Sequence, residues 1–189
     1  STLSSSSAAS DVYKRQGGLR IPDHAEKGTT MKAELRKVKI ARHMSEGTTA
    51  FTADLWVDGK HIGDVRNDGS GGANFIDHRY DGKGLNTSDE VRAFRTWCET
   101  LPPIQDEYGE SPMSDDWYIG RLLEEWEETQ QIKRMCKTKI LVRYEGEEDF
   151  RVFQAKWPEG NDAQLAIMAQ LTKQVQPQVI VEFVNKRFS

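Results

Sequence analysis

Ala50-Phe51-Thr52-Ala53-Asp54-Leu55-Trp56-Val57-Asp58-Gly59-Lys60-His61-Ile62-Gly63-Asp64-Val65-Arg66 reads as two strands closed by a tight turn. Asp58-Gly59 carries the signal, because a type I′ turn needs positive φ at both central residues and few residue types tolerate that. Phe51, Leu55 and Val57 would line one face, with Ile62 and Val65 answering from the second strand. Upstream, Lys32–Arg42 alternates Leu35, Val38 and Ile40 with charged residues, the pattern of a half-buried strand. Downstream, Phe75-Ile76 suits another short strand beyond the glycine-rich stretch Asn67–Asn74.

Helical spacing takes over further along. Thr87-Ser88-Asp89-Glu90 reads as a capping box opening a helix to about Leu101, with Val91, Phe94, Trp97 and Cys98 on one stripe. Pro102-Pro103 stops it. Ser114 caps a longer helix to about Met135, where Tyr118, Ile119, Leu122, Leu123 and Trp126 recur at helical spacing. The last third reads strand, strand, helix, strand. Lys139–Tyr144 and Phe150–Ala155 flank the acidic turn Glu145–Glu148, and Asn161 caps a helix with an apolar face of Leu165, Ile167, Met168 and Leu171. Val179–Val184 is nearly continuous in apolar residues, which predicts a central strand. The expected class is α+β, mainly antiparallel sheet with two or three helices packed on one face. Trp97 and Trp126 belong to core stripes, and Trp56 and Trp117 are assigned to the core with them. Trp157, ahead of Pro158, is expected at the surface.

Composition bounds what such a chain can be. Apolar residues make up 37% and charged residues 30% of 189 residues, enough for a core beneath a well-solvated surface. Residues 1–30 differ in kind: a Ser/Ala run leads into Asp11-Val12-Tyr13-Lys14-Arg15-Gln16, and residues 1–16 look like translated library adapter from a metagenomic assembly. The expectation is a disordered or artefactual leader over 1–30 and a single domain over 31–189, beginning at Met31. No run of apolar residues reaches the roughly 18 needed to span a bilayer. Cys98 and Cys136 fall among apolar helix neighbours and read as free thiols of a reduced, cytoplasmic protein. A net charge of −4 argues against a broad nucleic-acid-binding surface.

Candidate sites follow from the unusual stretches. Glycine frees backbone N–H groups to cradle an anion, so Asn67, Asp68, Gly69, Gly71, Gly72 and Asn74 form a candidate ligand loop. The loop lacks the Gly-Lys-Ser/Thr ending of a phosphate loop, and a tight turn at the end of a hairpin explains it structurally. Nine acidic residues (Asp106, Glu107, Glu110, Asp115, Asp116, Glu124, Glu125, Glu127 and Glu128) stand against one basic residue, Arg121, between Asp106 and Glu128. Asp115, Asp116, Glu124, Glu125, Glu127 and Glu128 could meet a basic protein partner, such as a host or phage protein, although such faces mostly serve solubility. A metal-dependent hydrolase or nuclease using Asp64, Asp68, Asp77 and His78 is the alternative. Against it, Asp77 and His78 are neighbours on a strand and point to opposite faces. No catalytic motif and no cofactor signature is present, so no catalytic residue is assigned and the cofactor stays open.

Ser45-Glu46, Ala50-Phe51-Thr52-Ala53, Asp58-Gly59-Lys60 and Asn67-Asp68-Gly69-Ser70-Gly71-Gly72 together resemble small uncharacterised proteins of phages and other mobile elements. The tail, from Cys136-Lys137-Thr138-Lys139 through Asn185-Lys186-Arg187-Phe188, is similar to the same group. The resemblance implies a genomic neighbourhood and carries no activity. The function expected is therefore that of an accessory protein acting by binding.

Overall fold

Asp58 and Gly59 adopt φ of 49° and 77°, the left-handed pair that a type I′ turn requires, and the strands on either side pair as expected. The computed structural model describes residues 11–13, 31–106 and 109–188. In chain order the elements are β1 (Asp11–Tyr13), β2 (Ala33–Ile40), β3 (Phe51–Val57), β4 (Lys60–Asn67), β5 (Phe75–His78), α1 (Ser88–Glu99), β6 (Ile104–Asp106), β7 (Gly109–Ser111), α2 (Asp115–Met135), β8 (Ile140–Tyr144), β9 (Phe150–Phe153), α3 (Asn161–Gln174) and β10 (Ile180–Phe183). Among the described residues, three helices and antiparallel sheets make the class α+β. The chain divides into two compact units, Leu19–Trp126 and Ser1–Gly18 with Glu127–Ser189. Among the described residues no helix is long and apolar enough to cross a membrane.

In the unit Leu19–Trp126 the antiparallel sheet runs β2-β3-β4-β5. Leu35, Phe51, Ala53, Leu55, Val57, Ile62, Val65 and Ile76 turn one face into a core. Val91, Phe94 and Cys98 of α1 and Ile119 and Leu123 from the first turns of α2 pack on it. Leu55 and Phe94 lose all exposure, and burial of a side chain of that size contributes about 1.5–3 kcal/mol. Thr87 does not cap α1 with its side chain. Its buried hydroxyl donates to the Ile62 carbonyl and accepts from the Arg79 N–H at 2.7 Å, fastening the helix start to the sheet. Glu90, the other half of the expected capping box, pairs with Lys60 instead. Ser114 does cap α2, accepting from the Trp117 N–H at 3.3 Å.

The second unit holds the antiparallel order β1-β9-β8-β10. Successive residues of a strand point to opposite faces, and here both faces are apolar. Ile140, Val142 and Tyr144 join Leu171 of α3, while Leu141 joins Ile132 and Cys136 at the end of α2. Asn185 anchors this second side, accepting from the Leu141 N–H at 2.8 Å and donating to the carbonyls of Lys139 (2.8 Å) and Cys136 (3.1 Å). Asp11–Tyr13, within the leader expected to lack structure, pair with Phe150–Val152, and Val12 and Tyr13 are types that favour strands.

Several expectations are corrected. β10 is an edge strand among the described residues rather than a central one, with Val179 and Val181 exposed. Its apolar run serves one face, and Glu182 between Arg143 and Arg187 interrupts it. Trp157 is buried beside Phe183, whereas Trp117 and Leu165 are exposed. Asn161 is the first residue of α3, and Gly160 takes the cap position.

Candidate metal centre

The outer face of the β2-β3-β4-β5 sheet owes its arrangement to two β-bulges. A regular hairpin closing at Asp58-Gly59 would pair Asp54 with Gly63. A bulge between Leu55 and Trp56 shifts the register, so Leu55 faces Gly63 and Asp54 faces Asp64. Ile62 and Val65, three apart, thereby share the core face, while Asp64 turns outward. Gly63 is required there: a Cβ would lie 2.8 Å from Ile76 Cγ2 and 2.9 Å from the Asp77 carbonyl oxygen.

One rung across the sheet then reads Arg36, Asp54, Asp64, Asp77. Like charges directly opposite on neighbouring strands repel, and the side chains around the rung show how it is tolerated. Lys37 Nζ lies 2.8 Å from Asp54 Oδ2, and Arg66 Nε donates to Asp77 Oδ2 at 3.0 Å. Asp64, in the middle, has His61: Nε2 sits 3.1 Å from Asp64 Oδ1 and 3.0 Å from the Gly63 carbonyl oxygen. The His61 ring stacks on Trp56 with centroids 5.5 Å apart and planes 8° from parallel, and the Arg36 guanidinium lies 3.9 Å over the same indole. That stack fixes the imidazole. The Lys37 ammonium holds the Asp54 carboxyl below the usual carboxylate range; burial opposes this and His61 reinforces it.

Among the described residues, Asp54, His61 and Asp64 each offer a ligand atom within 4.8 Å of the others. The side chains of Asp54 and His61 keep 16% and 15% of their exposure, while Asp64 keeps 64%, so the cluster has an inner wall and an open side.

The four residues of the expected metal set separate. Asp64 and Asp77 share the rung. His78 points to the other face by strand alternation. Asp68 closes an Asx turn inside the glycine-rich loop, accepting from the N–H (3.0 Å) and hydroxyl (2.6 Å) of Ser70. Asp54 and His61 were missed. Neither belongs to a spacing motif, and only the bulged register brings them to Asp64.

Comparison with family models, curated proteins and solved structures returns no match.

The glycine-rich loop makes its hydrogen bonds within itself and to neighbouring segments of the chain. Buried Asn67 accepts from Thr48 Oγ1 and the Gly69 N–H, both at 2.8 Å, and donates to the Gly72 carbonyl and to Asn74 Oδ1. The Gly71 N–H goes to Thr48 Oγ1, and the Asn74 N–H goes to Asp116. The N–H groups of Glu46, Gly47 and Thr48 all converge on the Gly69 carbonyl at 3.0, 2.9 and 3.2 Å. The cradle formed in this region thus grips an oxygen of the chain itself. Gly69, at φ +87°, is obligatory, since a Cβ would approach the Met44 carbonyl oxygen to 2.2 Å.

The acidic helix is partly committed as well. Asp115 receives Arg95 Nε at 2.9 Å, Asp116 binds Asn74, and Glu125 receives Arg121 at 3.2 Å. Glu124 and Glu125 are exposed, and Glu127 and Glu128 are half-buried on the same helix.

Proposed function

We propose that this protein acts by binding, and that its ligand is a first-row divalent metal ion held by Asp54, His61 and Asp64. The observation that carries the reading is the convergence of three ligand atoms within 4.8 Å on one face of a hairpin. Two carboxylates with one imidazole form a donor set suited to Zn²⁺ or Mn²⁺. Mg²⁺ and Ca²⁺ prefer oxygen alone. Water on the side of exposed Asp64 would complete the coordination shell. The likeness to small phage and mobile-element proteins fits an accessory role for such a module, and exposed Glu124 and Glu125 offer a basic protein partner a place to engage.

Isothermal titration of the full chain with Zn²⁺ and Mn²⁺ tests the reading, with Mg²⁺ for comparison. Loss of a ligand should exceed the ~10–100-fold cost of losing an outer-shell partner, so Asp64→Asn and His61→Gln should each weaken Zn²⁺ by more than about tenfold. Wild-type chain that takes up no metal, or Asp64→Asn that binds as tightly, refutes it.

Three protein ligands with an open position is also the arrangement of hydrolytic metal sites, and the Asp77 carboxylate on the same rung favours this second reading. Hydrolysis of bis(p-nitrophenyl) phosphate with Mn²⁺, abolished by Asp64→Asn, would establish it.

A further inference from the structure

We infer that Lys37 is a tethered cation that stands in for the metal against Asp54 and sets the affinity of the site; this rests on the metal-binding reading above. Leu35 pairs with Leu55 on the core face and Arg36 with Asp54 on the outer face, so regular alternation would send Lys37 toward the core. An extra residue enters β2 between Arg36 and Lys39, and Lys37 takes φ +50°, a left-handed conformation that non-glycine residues seldom adopt. The bulge turns Lys37 outward, and its ammonium comes to 2.8 Å from Asp54 Oδ2.

The contact itself is built for release. The Lys37 side chain remains 76% exposed and is held at its tip, while Asp54 is the inner carboxylate of the cluster with 16% exposure. A divalent ion reaching Asp54 and Asp64 would meet that ammonium at the Asp54 carboxylate. The lysine could leave the carboxylate for water, since most of its side chain is already exposed. Arg36 cannot replace it, because its guanidinium is bonded to Glu34 and packed over Trp56. Lys37 therefore offsets the Asp54 charge without metal and competes with metal for that carboxylate.

Two charges about 4 Å apart in water interact by enough to change affinity several-fold, and the effect doubles for a divalent ion. Lys37→Met should bind Zn²⁺ about tenfold more tightly than wild type in calorimetry of the full chain. Lys37→Gln, a second neutral variant, should move the same way, and circular dichroism would report whether each variant is folded. Tighter binding by both neutral variants than by a wild type that itself binds through Asp64 supports the inference. If wild type binds through Asp64 while both neutral variants bind equally or more weakly, the Lys37 inference fails and the metal site stands. If wild type takes up no Zn²⁺ or Mn²⁺, the metal reading fails and takes this inference with it.

Discussion

Gly63→Ala tests whether the bulge in β4 is the element on which the site depends. The added Cβ would lie 2.8 Å from Ile76 Cγ2 and 2.9 Å from the Asp77 carbonyl oxygen, both well inside ordinary contact. Ile76 is buried in the core, so its methyl has little room to retreat, and the carbonyl belongs to the β4–β5 ladder. Overpacking of this kind costs about 1–3 kcal/mol. The strand can relieve it only by opening the ladder or by giving up the bulge. A one-residue slip would send Asp64 toward the core face and away from Asp54. Urea unfolding followed by circular dichroism should therefore show a lower midpoint, worth about 2 kcal/mol, together with weakened metal uptake. Gly72→Ala is the matched control: a Cβ there meets nothing within 4 Å, and its effect should stay within about 0.5 kcal/mol. A Gly63→Ala chain that unfolds at the wild-type midpoint would refute the close-contact argument.

Burial pushes the Cys98 thiol up to about 12, with Asp115 adding to it, and pushes Cys136 up to about 11. Because the thiolate is the reactive form, labelling by a disulfide reagent at pH 8 should run at least ~100-fold slower in the native chain than in urea; comparable rates would overturn the assignment of both as buried thiols. Glu147 and Arg151 form a two-pronged pair at 2.9 and 2.7 Å, and Arg151 holds the Glu147 carboxyl below its usual range. A depressed folded-state value means that stability is present above the unfolded-state value and lost as pH falls through the folded one. Glu147→Gln should thus cost about 0.5–1 kcal/mol at pH 7, with the gap to wild type closing in urea titrations toward pH 3; a gap that is constant with pH would contradict the pairing.

The parts of the fold legible in the sequence are those set by local rules. Asp58-Gly59 dictates its turn through φ alone, and the stripe Val91, Phe94, Cys98 dictates which side of α1 is buried. What escaped was decided by partners distant in sequence. Thr87 has the residue type of a helix cap, but the Ile62 carbonyl, 25 positions away, claims its hydroxyl. Val179–Val184 has the composition of a central strand, yet its strand Ile180–Phe183 lies at an edge among the described residues, because strand order is a property of the whole sheet. The exposure of Trp117 and the burial of Trp157 likewise depend on what packs over them, which neither residue's neighbours in sequence reveal.

The cluster of Asp54, His61 and Asp64 was illegible for a narrower reason. Counting outward from Asp58-Gly59 gives Val57 opposite Lys60 and Trp56 opposite His61, as observed. Continued without interruption, the count places Asp54 against Gly63 and leaves Asp64 on the core face, where an unpaired carboxylate would be costly. One signal was present. Ile62 and Val65 cannot both face the core in a regular strand, since they are three apart and alternation has a period of two. A glycine between them, where a bulge could form, resolves the conflict. Taking both facts together puts the extra residue at Ile62-Gly63, sends Asp64 outward and sets it opposite Asp54, one rung from His61. Two apolar residues that must both be buried therefore fix the position of two acids that must not be, and the same bulge that satisfies the core assembles the candidate site.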